Sequence, residues 1–306
     1  YLKVEAILGA ARATGADAVH PGYGFLAENA GFADAVEAAG LTFVGPTGDS
    51  IRVMGDKVAA RVAAEGAGVP VVPGSDGRID DPDRAQAVAL AIGFPVMIKA
   101  AAGGGGRGIR VAHDREEFER LMPQAAAEAQ AAFGDGGLYL EKVIARARHI
   151  EVQVLGDGTR AIHCGERECS LQRRRQKVWE EAPSAALPGE LRERLCASAV
   201  ALAQAVGYRG AGTVEYLFDD ATGHFHFIEM NTRIQVEHPV TEMVTGIDLV
   251  REMIRIAGGE ALRLRQEDVR PRGHAIEVRL NAEDPAQDFR PGPGTVSRLV
   301  LPGGPG

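Results

Sequence analysis

Cysteine, long apolar runs and an excess of positive charge are all scarce in this chain of 306 residues. Cys164, Cys169 and Cys196 are odd in number and show no CxxC spacing, so the sequence suggests neither a disulfide framework nor a structural zinc site. No apolar run approaches the roughly 18 residues that a membrane span requires. The net charge of -8 argues against broad binding to nucleic acid or to an anionic bilayer. The composition fits a reducing compartment and allows a small anionic ligand.

Lysine is also scarce. Of the 34 basic residues, only five are lysines and the others are arginines. An ammonium is a compact point charge, whereas a guanidinium is broad and planar. A lysine that persists against this bias therefore indicates a position that needs a compact cation, although chance can account for any single one. The lysines are Lys3, Lys57, Lys99, Lys142 and Lys177.

Both ends of the chain resemble parts of larger units. Residues 4–11 carry one apolar helical stripe, and short strands at 16–20 and 41–44 enclose a helix near Phe32, an alternation typical of parallel α/β pairing. Two strands cannot shield a parallel sheet, so we expect further strands upstream. Residues 302–306 end the chain in turn chemistry rather than in a closing element. We expect truncation at both ends.

The middle of the chain predicts a small α+β lobe and then an antiparallel sheet. Asp81 is a good N-cap and Pro82 a good first residue for a helix over 82–92. From His149 onward, apolar and polar residues alternate as in an antiparallel strand. The remaining predicted elements are strands 95–101, 109–112 and 138–143, a helix from about Asp114, a turn at 156–158, a helix over 189–206 and a hairpin over 212–231.

A glycine-rich run, Gly103–Gly106 followed by Arg107 and Gly108, lies between two predicted strands. It is therefore neither a Walker loop nor a dinucleotide fingerprint, which both open a helix. We expect a hairpin tip whose backbone N–H groups can approach a polyphosphate closely. An ordinary surface loop explains the glycines equally well, but Lys99 on the entering strand favours phosphate.

A second signal comes from strand register. If the hairpin turns through residues 221–223, the residues paired across it have numbers that sum to 444, and Glu215 lies opposite Glu229. Two carboxylates about 5 Å apart on one sheet face destabilise it unless a cation lies between them. Magnesium, which prefers hard oxygen ligands and bridges carboxylates to phosphates, fits this position. A solvated pair with an arginine nearby is the alternative.

Polar groups continue at every second position beyond this pair, at Glu229, Asn231, Arg233, Gln235 and Glu237. Fully extended, the stretch would span about 26 Å, which is too long for one small-molecule site. We therefore expect a bend after Asn231 that folds this polar face into a pocket. A merely solvated face is the alternative.

The densest basic patch covers residues 172–177. Nucleic-acid binding would call for interleaved aromatic residues, and only Trp179 is near, so an anion pocket is the better interpretation. Cys164, Cys169 and His163 could be imagined as metal ligands, but buried core positions explain them more simply.

These motifs resemble the biotin carboxylase component of biotin-dependent carboxylases, over essentially the whole chain. The resemblance implies an ATP-grasp fold of mixed α/β and α+β class, truncated at both ends. It implies a partial N-terminal Rossmann-like domain, an ATP-grasp domain that comprises a lid and an antiparallel-sheet C-terminal lobe, and the start of a C-terminal domain. The domains span 1–46, 47–258 (lid about 71–143) and 259–306. The motifs are HPGYGFL at 20–26, MGDK at 54–57, the loop at 99–108, CSLQRR at 169–174 and EMNTRIQVEHP at 229–239.

The resemblance also implies a role for each matching residue. Glu237 would be the general base, and Arg279 would stabilise the biotin enolate. Bicarbonate would be bound by Lys177, Arg233, Gln235 and Val236. Magnesium or manganese would be bound by Glu215, Glu229 and Asn231. The ATP site would comprise Lys57, Lys99, Gly103, Gly104, Gly105, Gly106, Glu141, Lys142, His149 and Gln172. Arg175 departs from the pattern of some relatives, which carry histidine or asparagine at that position.

The implied activity is that of an ATP-dependent ligase, which uses bicarbonate to carboxylate biotin on a carrier protein through carboxyphosphate. The implied partners are the biotin carboxyl carrier, a carboxyltransferase and a second copy of the chain or a larger complex, with no nucleic acid and no membrane. A bacterial-type cytoplasmic location is implied, or an organelle matrix, and fatty acid biosynthesis is one setting. The final acceptor stays open among acetyl-CoA, propionyl-CoA, methylcrotonyl-CoA, pyruvate and urea.

Two alternatives remain at this stage. Another ATP-grasp ligase, such as half of a carbamoyl phosphate synthetase, would share bicarbonate activation but not the biotin step. A non-catalytic nucleotide-binding module is suggested only by the truncated ends.

Overall fold

The N-terminal region is a pair of parallel strands surrounded by helices in the computed structural model, which describes residues 1–101, 109–174, 176–301 and 303. Ala18 pairs with Thr42 and Val19 with Phe43, so the predicted parallel pairing is confirmed, over shorter strands than expected. The Phe32 and Phe43 rings meet edge to face in the core of this region. The elements are α1 (Val4–Thr14), β1 (Ala18–Val19), α2 (Ala30–Ala38), β2 (Thr42–Phe43), α3 (Gly48–Gly55) and α4 (Lys57–Gly66).

The predicted small lobe is a three-stranded antiparallel sheet covered by two helices. The first helix begins as its sequence predicts, because the Asp81 side chain accepts a hydrogen bond from the Asp83 N–H and Pro82 is the first helical residue. Residues 103–108, the predicted hairpin tip, lie outside the described residues, but the strands on either side pair antiparallel. The elements are α5 (Pro82–Ile92), β3 (Val96–Ala100), β4 (Ile109–Ala112), α6 (Arg115–Phe133) and β5 (Leu138–Lys142).

A six-stranded antiparallel sheet forms the rest of the scaffold, in the order β10-β9-β6-β7-β8-β11. Its strands are β6 (Ala147–Asp157), β7 (Ala161–Arg173), β8 (Gln176–Ala182), β9 (Arg209–Asp219), β10 (His224–Asn231) and β11 (Ala275–Val278). The helices that follow in the chain are α7 (Gly189–Ala205), α8 (His238–Thr245) and α9 (Leu249–Ala257), and β12 (Glu283–Asp284) pairs with β13 (Arg290–Pro291).

Strand β6 lies near the middle of this sheet and is buried on both faces. Ile150, Val152 and Val154 pack into the core beneath α7, and Leu155 packs into a second core with residues of α9. Glu151 and Gln153 are therefore fully buried as well. Buried charge of this kind requires partners, because an unpaired buried charge is costly.

The hairpin of β9 and β10 confirms the predicted pairing of Glu215 with Glu229 but corrects the turn. The expected three-residue turn at 221–223 is wrong, because Asp219 pairs with His224 and its side chain accepts from the Ala221 N–H. The register then shifts at a β-bulge between Phe227 and Glu229, which restores the predicted pairing. Strand β10 ends at Asn231, so the predicted bend after it is also confirmed.

Within the described ranges, no helix is both long and apolar enough to cross a bilayer. The expected domain boundaries at 46 and 258, and the expected lid over 71–143, stay predictions.

Candidate active site

A row of charged residues crosses four neighbouring strands at the centre of the large sheet. Arg167 on β7 lies opposite Glu151 on β6, Glu151 lies opposite Glu215 on β9, and Glu215 lies opposite Glu229 on β10. Like charges directly opposite each other destabilise a sheet. The row thus has one cation at its inner end and three carboxylates, and further cations are needed.

Lys177 on β8 supplies one of these cations. Its ammonium donates to Glu151 at 2.5 Å, to Glu237 at 2.6 Å and to Glu215 at 3.0 Å. Burial alone would lower the pKa of Lys177, but the charges of Glu151 and Glu215 hold it well above its ordinary value. Lys177 is therefore a permanent cation and a poor candidate for a general base.

Arg167 compensates the inner carboxylate. It is completely buried, and Glu151 raises the pKa of its guanidinium against the effect of burial. Its charge and five donated hydrogen bonds satisfy an otherwise closed polar core. The acceptors are Glu151 (2.9 Å), Gln153 (2.8 Å), Thr241 (2.9 Å), Thr213 (3.2 Å) and Gln235 (3.2 Å).

Glu237, at the N-cap of α8, connects two cations. One carboxylate oxygen accepts from Lys177 at 2.6 Å, and the other accepts from Arg279 Nη2 at 2.8 Å. Arg279 is fixed in turn by Glu180, which accepts from its Nε at 2.7 Å. The arrangement brings together the predicted general base, a predicted bicarbonate ligand and the predicted biotin ligand.

The outer carboxylates have unequal surroundings. Glu215 is buried and accepts from Asn231 Nδ2 at 2.7 Å and from Gln235 Nε2 at 2.9 Å. His149 Nε2 also lies 2.9 Å from Glu215. Burial would lower the pKa of His149, yet Glu151 and Glu215 raise it to about 9.

Glu229, on the edge strand, is exposed to solvent, and none of the described residues donates a hydrogen bond to its carboxylate. Partial desolvation and then the charge of Glu215 raise its pKa. A divalent cation between the two carboxylates would remove this repulsion, so the residues fit the predicted metal. Asn231 lies two residues farther along the same strand. The positive charge of Lys57, the first residue of α4, lowers the pKa of Glu229 and so acts against these two effects.

Arg233 lies beyond the bend. Its Nη2 donates to Asn231 Oδ1 at 3.0 Å, and its Nε donates to Glu28 at 2.8 Å. Glu28 also accepts from the Thr232 N–H, so the N-terminal region fixes this part of the pocket. Val236 is half-buried between Gln235 and Glu237.

The predicted ATP-site residues are less well gathered. Lys99 forms an ion pair with Glu141 across the small-lobe sheet. Lys142, however, donates to the carbonyl oxygens of Gly93 at 2.8 Å and Phe94 at 2.7 Å. Neighbouring residues of a strand point to opposite faces, so the structure does not bring the Lys142 ammonium to Lys99 and Glu141.

The remaining positions singled out by the motifs add little to the pocket geometry. Gln172 lies opposite Lys177 in the β7–β8 hairpin and donates to the Cys169 carbonyl at 2.9 Å. Gly103–Gly106 and Arg175 lie outside the described residues.

Sequence reasoning missed four groups that organise the site: Glu28, Glu151, Arg167 and Glu180. Three consecutive charged residues, Glu166–Glu168, lie within a strand of the sheet. Because such residues are rarely buried without partners, this run could have indicated that Arg167 is paired with buried carboxylates. Glu28 gave no local signal, because its partners lie more than 200 residues away in the chain.

Two family models match the chain. The one described as carbamoyl-phosphate synthase L chain, ATP binding domain, matches residues 56–265, and the one described as biotin carboxylase, N-terminal domain, matches residues 1–51.

Curated relatives are similar over the whole chain. A biotin carboxylase of Pseudomonas aeruginosa is 57% identical over 308 residues, which cover 100% of this chain and 68% of the relative. The chloroplastic biotin carboxylase of Arabidopsis thaliana is 56% identical, with 100% and 57% covered. A pyruvate carboxylase subunit of Methanothermobacter thermautotrophicus is 51% identical, with 100% and 62% covered.

Solved structures of biotin carboxylases are also similar to this chain. The biotin carboxylase domain dimer of the Hydrogenobacter thermophilus 2-oxoglutarate carboxylase, in complex with MgADP, ADP and bicarbonate, is 53% identical with a TM-score of 0.88. A biotin carboxylase complex from Campylobacter jejuni with β-γ-ATP is 48% identical with a TM-score of 0.89. Each match covers 100% of this chain and 68% of the solved chain.

Proposed function

Since this chain belongs to the biotin carboxylase family, we propose that its charged pocket carries out ATP- and bicarbonate-dependent carboxylation of biotin. The observation that carries the proposal is the position of Glu237, which is buried and accepts hydrogen bonds from both Lys177 and Arg279. A carboxylate held between two cations can accept a proton on one side while anionic species are stabilised beside it.

In the first step, Glu237 takes the proton of bicarbonate. The deprotonated oxygen attacks the γ-phosphorus of ATP, the bond to the ADP oxygen breaks, and carboxyphosphate forms. Lys177 and Arg233 would lie beside the carbonate. Because Lys177 stays protonated, it can stabilise negative charge throughout this step.

In the second step, carboxyphosphate breaks down to CO₂ and phosphate. The phosphate takes the N1′ proton of biotin, and the N1′ nitrogen then attacks CO₂. Arg279 would face the ureido oxygen, where negative charge develops. Within the described part of the chain, its Nη1 makes no hydrogen bond, and this donor is therefore available to a ligand. Because the surrounding groups are buried, few water molecules can reach the pocket, where water would otherwise hydrolyse carboxyphosphate.

Glu215, Glu229 and Asn231 would bind magnesium or manganese. The unrelieved repulsion at Glu229 supports this assignment. When bound, the metal offsets negative charge on the nucleotide phosphates. Lys57 would serve the same phosphates. Lys99 and Glu141 would contact ATP from the small lobe, with Gly103–Gly106 between its strands, and His149, Gln172, Gln235 and Val236 would complete the pocket.

We also propose the partners. Biotin would arrive on a carboxyl carrier protein or domain, and a separate carboxyltransferase would select the final acceptor. A second copy of the chain is supported by the dimer named for the Hydrogenobacter relative. A reducing location such as the cytoplasm is supported by three cysteines that are buried and free.

The test uses the full-length protein with ATP, magnesium, bicarbonate and free biotin. We expect ATP cleavage that requires bicarbonate, together with carboxylated biotin among the products. Bicarbonate-dependent cleavage without carboxylated biotin would favour a carbamoyl-phosphate-type ligase. Absence of ATP cleavage would favour a nucleotide-binding module.

A further inference from the structure

The edge of the large sheet carries a second pair of opposed carboxylates, away from the metal candidates. Glu277 on β11 lies directly opposite Glu180 on β8. Arg279 follows Glu277 by two residues and lies on the same face of the strand. Two pairs further along, on the same face, Ala182 and Ala275 pack against α8, so the carboxyl pair lies between an apolar contact and Arg279.

Each carboxyl of this pair has an unsatisfied atom. Within the described ranges, Glu180 Oε2 and Glu277 Oε2 are buried and have no hydrogen-bond partner. The other oxygen of Glu180 accepts from Arg279 Nε at 2.7 Å. Buried polar atoms are nearly always paired, so two orphaned acceptors on directly opposed residues call for a donor.

We propose that Glu180 and Glu277 share one proton and that this carboxyl pair positions Arg279 for biotin. Glu277 provides the O–H group, and Glu180 accepts from it while holding Arg279 Nε. The biotin part of the inference rests on the proposed function. Both glutamates are positioning residues, because they act through Arg279.

Charge counting supports a shared proton. Arg279 carries one positive charge and already forms ion pairs with two carboxylates, Glu180 and Glu237. If Glu277 were also ionised, no further cation would be paired with it among the described residues. Burial, followed by the charges of Glu180 and Glu237, raises the pKa of Glu277 to about 7. Burial also raises the pKa of Glu180. A carboxyl with a pKa of about 7 is still about half protonated at neutral pH, where an ordinary glutamate has lost its proton.

The charged groups that shift the pKa of Glu277 lie on three other elements as well as on its own strand. Glu180 lies opposite on β8, Glu237 lies at the start of α8, and Arg167 lies on β7, in addition to Arg279 on its own strand. Glu181, the neighbour of Glu180, points to the opposite face and lies 3.4 Å from His274. Two further groups on α8 are used elsewhere: His238 contacts the Gln235 carbonyl, and Glu242 accepts from the Leu249 N–H.

The proton has two measurable consequences. Loss of the proton as the pH rises through about 7 adds a negative charge beside Arg279, which draws the guanidinium away from biotin. Separately, a carboxyl whose folded pKa lies above its unfolded value reduces stability as the pH rises from about 4.5 to about 7, because the folded state binds more protons there.

The experiment compares full-length wild type with Glu277→Gln, Glu180→Gln and the matched control Glu181→Gln. Carboxylated biotin formed per ATP cleaved is measured from about pH 6 to about pH 8.5, across the expected titration. The wild-type ratio should fall with rising pH and the Glu277→Gln ratio should stay flat. Glu180→Gln should lower the ratio about tenfold at every pH, since it removes a charged hydrogen bond to Arg279. Glu181→Gln should behave as wild type.

Thermal unfolding gives a second readout that does not depend on the reaction. Glu277→Gln should unfold a few degrees higher than wild type near pH 8 and at the same temperature at about pH 4, below the unfolded pKa. A wild type that forms no carboxylated biotin would count against the proposed function alone. Identical pH profiles for wild type and Glu277→Gln in both assays would overturn the shared proton, and a water between the two carboxyls would then explain the orphaned atoms.

Discussion

Lys177 and Lys99 are both lysines paired with glutamate, but their surroundings differ. Lys177 is 13% exposed and contacts three carboxylates, whereas Lys99 is 29% exposed and contacts one. The large sheet thus fixes its charges before any ligand arrives. In the small lobe, Lys99 is held by one carboxylate and stays partly exposed to solvent. On the proposed function, bicarbonate and biotin would therefore meet a preorganised centre, while ATP would complete the arrangement from the side of the lobe.

Removal of the base should have the largest effect on this centre. Glu237→Gln keeps the shape of the side chain but cannot accept the bicarbonate proton. We expect bicarbonate-dependent ATP cleavage to fall about 10²–10⁴-fold, the usual contribution of a positioned base. Steady-state ADP release measures this. Near-normal cleavage would show that another group takes the proton.

Removal of the buried Arg167 guanidinium should have the next largest effect, which is on the stability of the fold. Arg167→Met leaves Glu151 without its main partner in a fully buried position. We expect the free energy of unfolding to fall by about 3–5 kcal/mol, the cost of breaking a buried pair from one side. Denaturant unfolding measures it. The exposed Arg78→Met is the control and should change little; equal losses in both variants would contradict the comparison.

The metal pair should show an intermediate effect. Glu229→Gln removes one of the two opposed carboxylates without disturbing the donors around Glu215. We expect the magnesium concentration needed for half-maximal ATP cleavage to rise about tenfold or more, as for other losses at a metal site. A magnesium titration of ATP cleavage tests this. An unchanged requirement would place the metal elsewhere.

The smallest effect on stability should come from the small lobe. Lys99→Ala removes a partly exposed ion pair, so the free energy of unfolding should change by about 1 kcal/mol or less. The KM for ATP should rise, because the ammonium is available to phosphate. Paired measurements of unfolding and of ATP dependence separate the two effects. A loss of stability as large as that of Arg167→Met would remove the distinction between the regions.

Local signals predicted much of the fold. Asp81 and Pro82 were sufficient to place the start of α5, because a cap acts within its own turn. The pairing of Glu215 with Glu229 was predicted from register, although the turn differs and a bulge compensates. Both results depend on residues close together in the chain.

The contacts that local signals did not reveal depend on distant packing. Burial of Glu151 is decided by helices on both faces of β6, which lie far along the chain, so its partner Arg167 could not be inferred from β6 alone. Lys142 was predicted as an ATP-site residue from its position in a motif; its ammonium donates to the two carbonyls that follow α5, and its role toward ATP stays a prediction. A motif specifies which residues are present, while strand parity specifies where each side chain points.

The most direct test of the two-step account is the ratio of carboxylated biotin to ATP cleaved in Arg279→Ala, with Glu237→Gln measured in parallel. Glu237 acts before carboxyphosphate exists, whereas Arg279 stabilises charge that develops only on biotin. Loss of such a donor typically costs on the order of 3 kcal/mol, or about 100-fold, in the step where the charge develops. We predict that Arg279→Ala retains much of its ATP cleavage with a strongly reduced ratio, while Glu237→Gln loses cleavage itself. Equal losses of cleavage and carboxylation in both variants would contradict the division of roles.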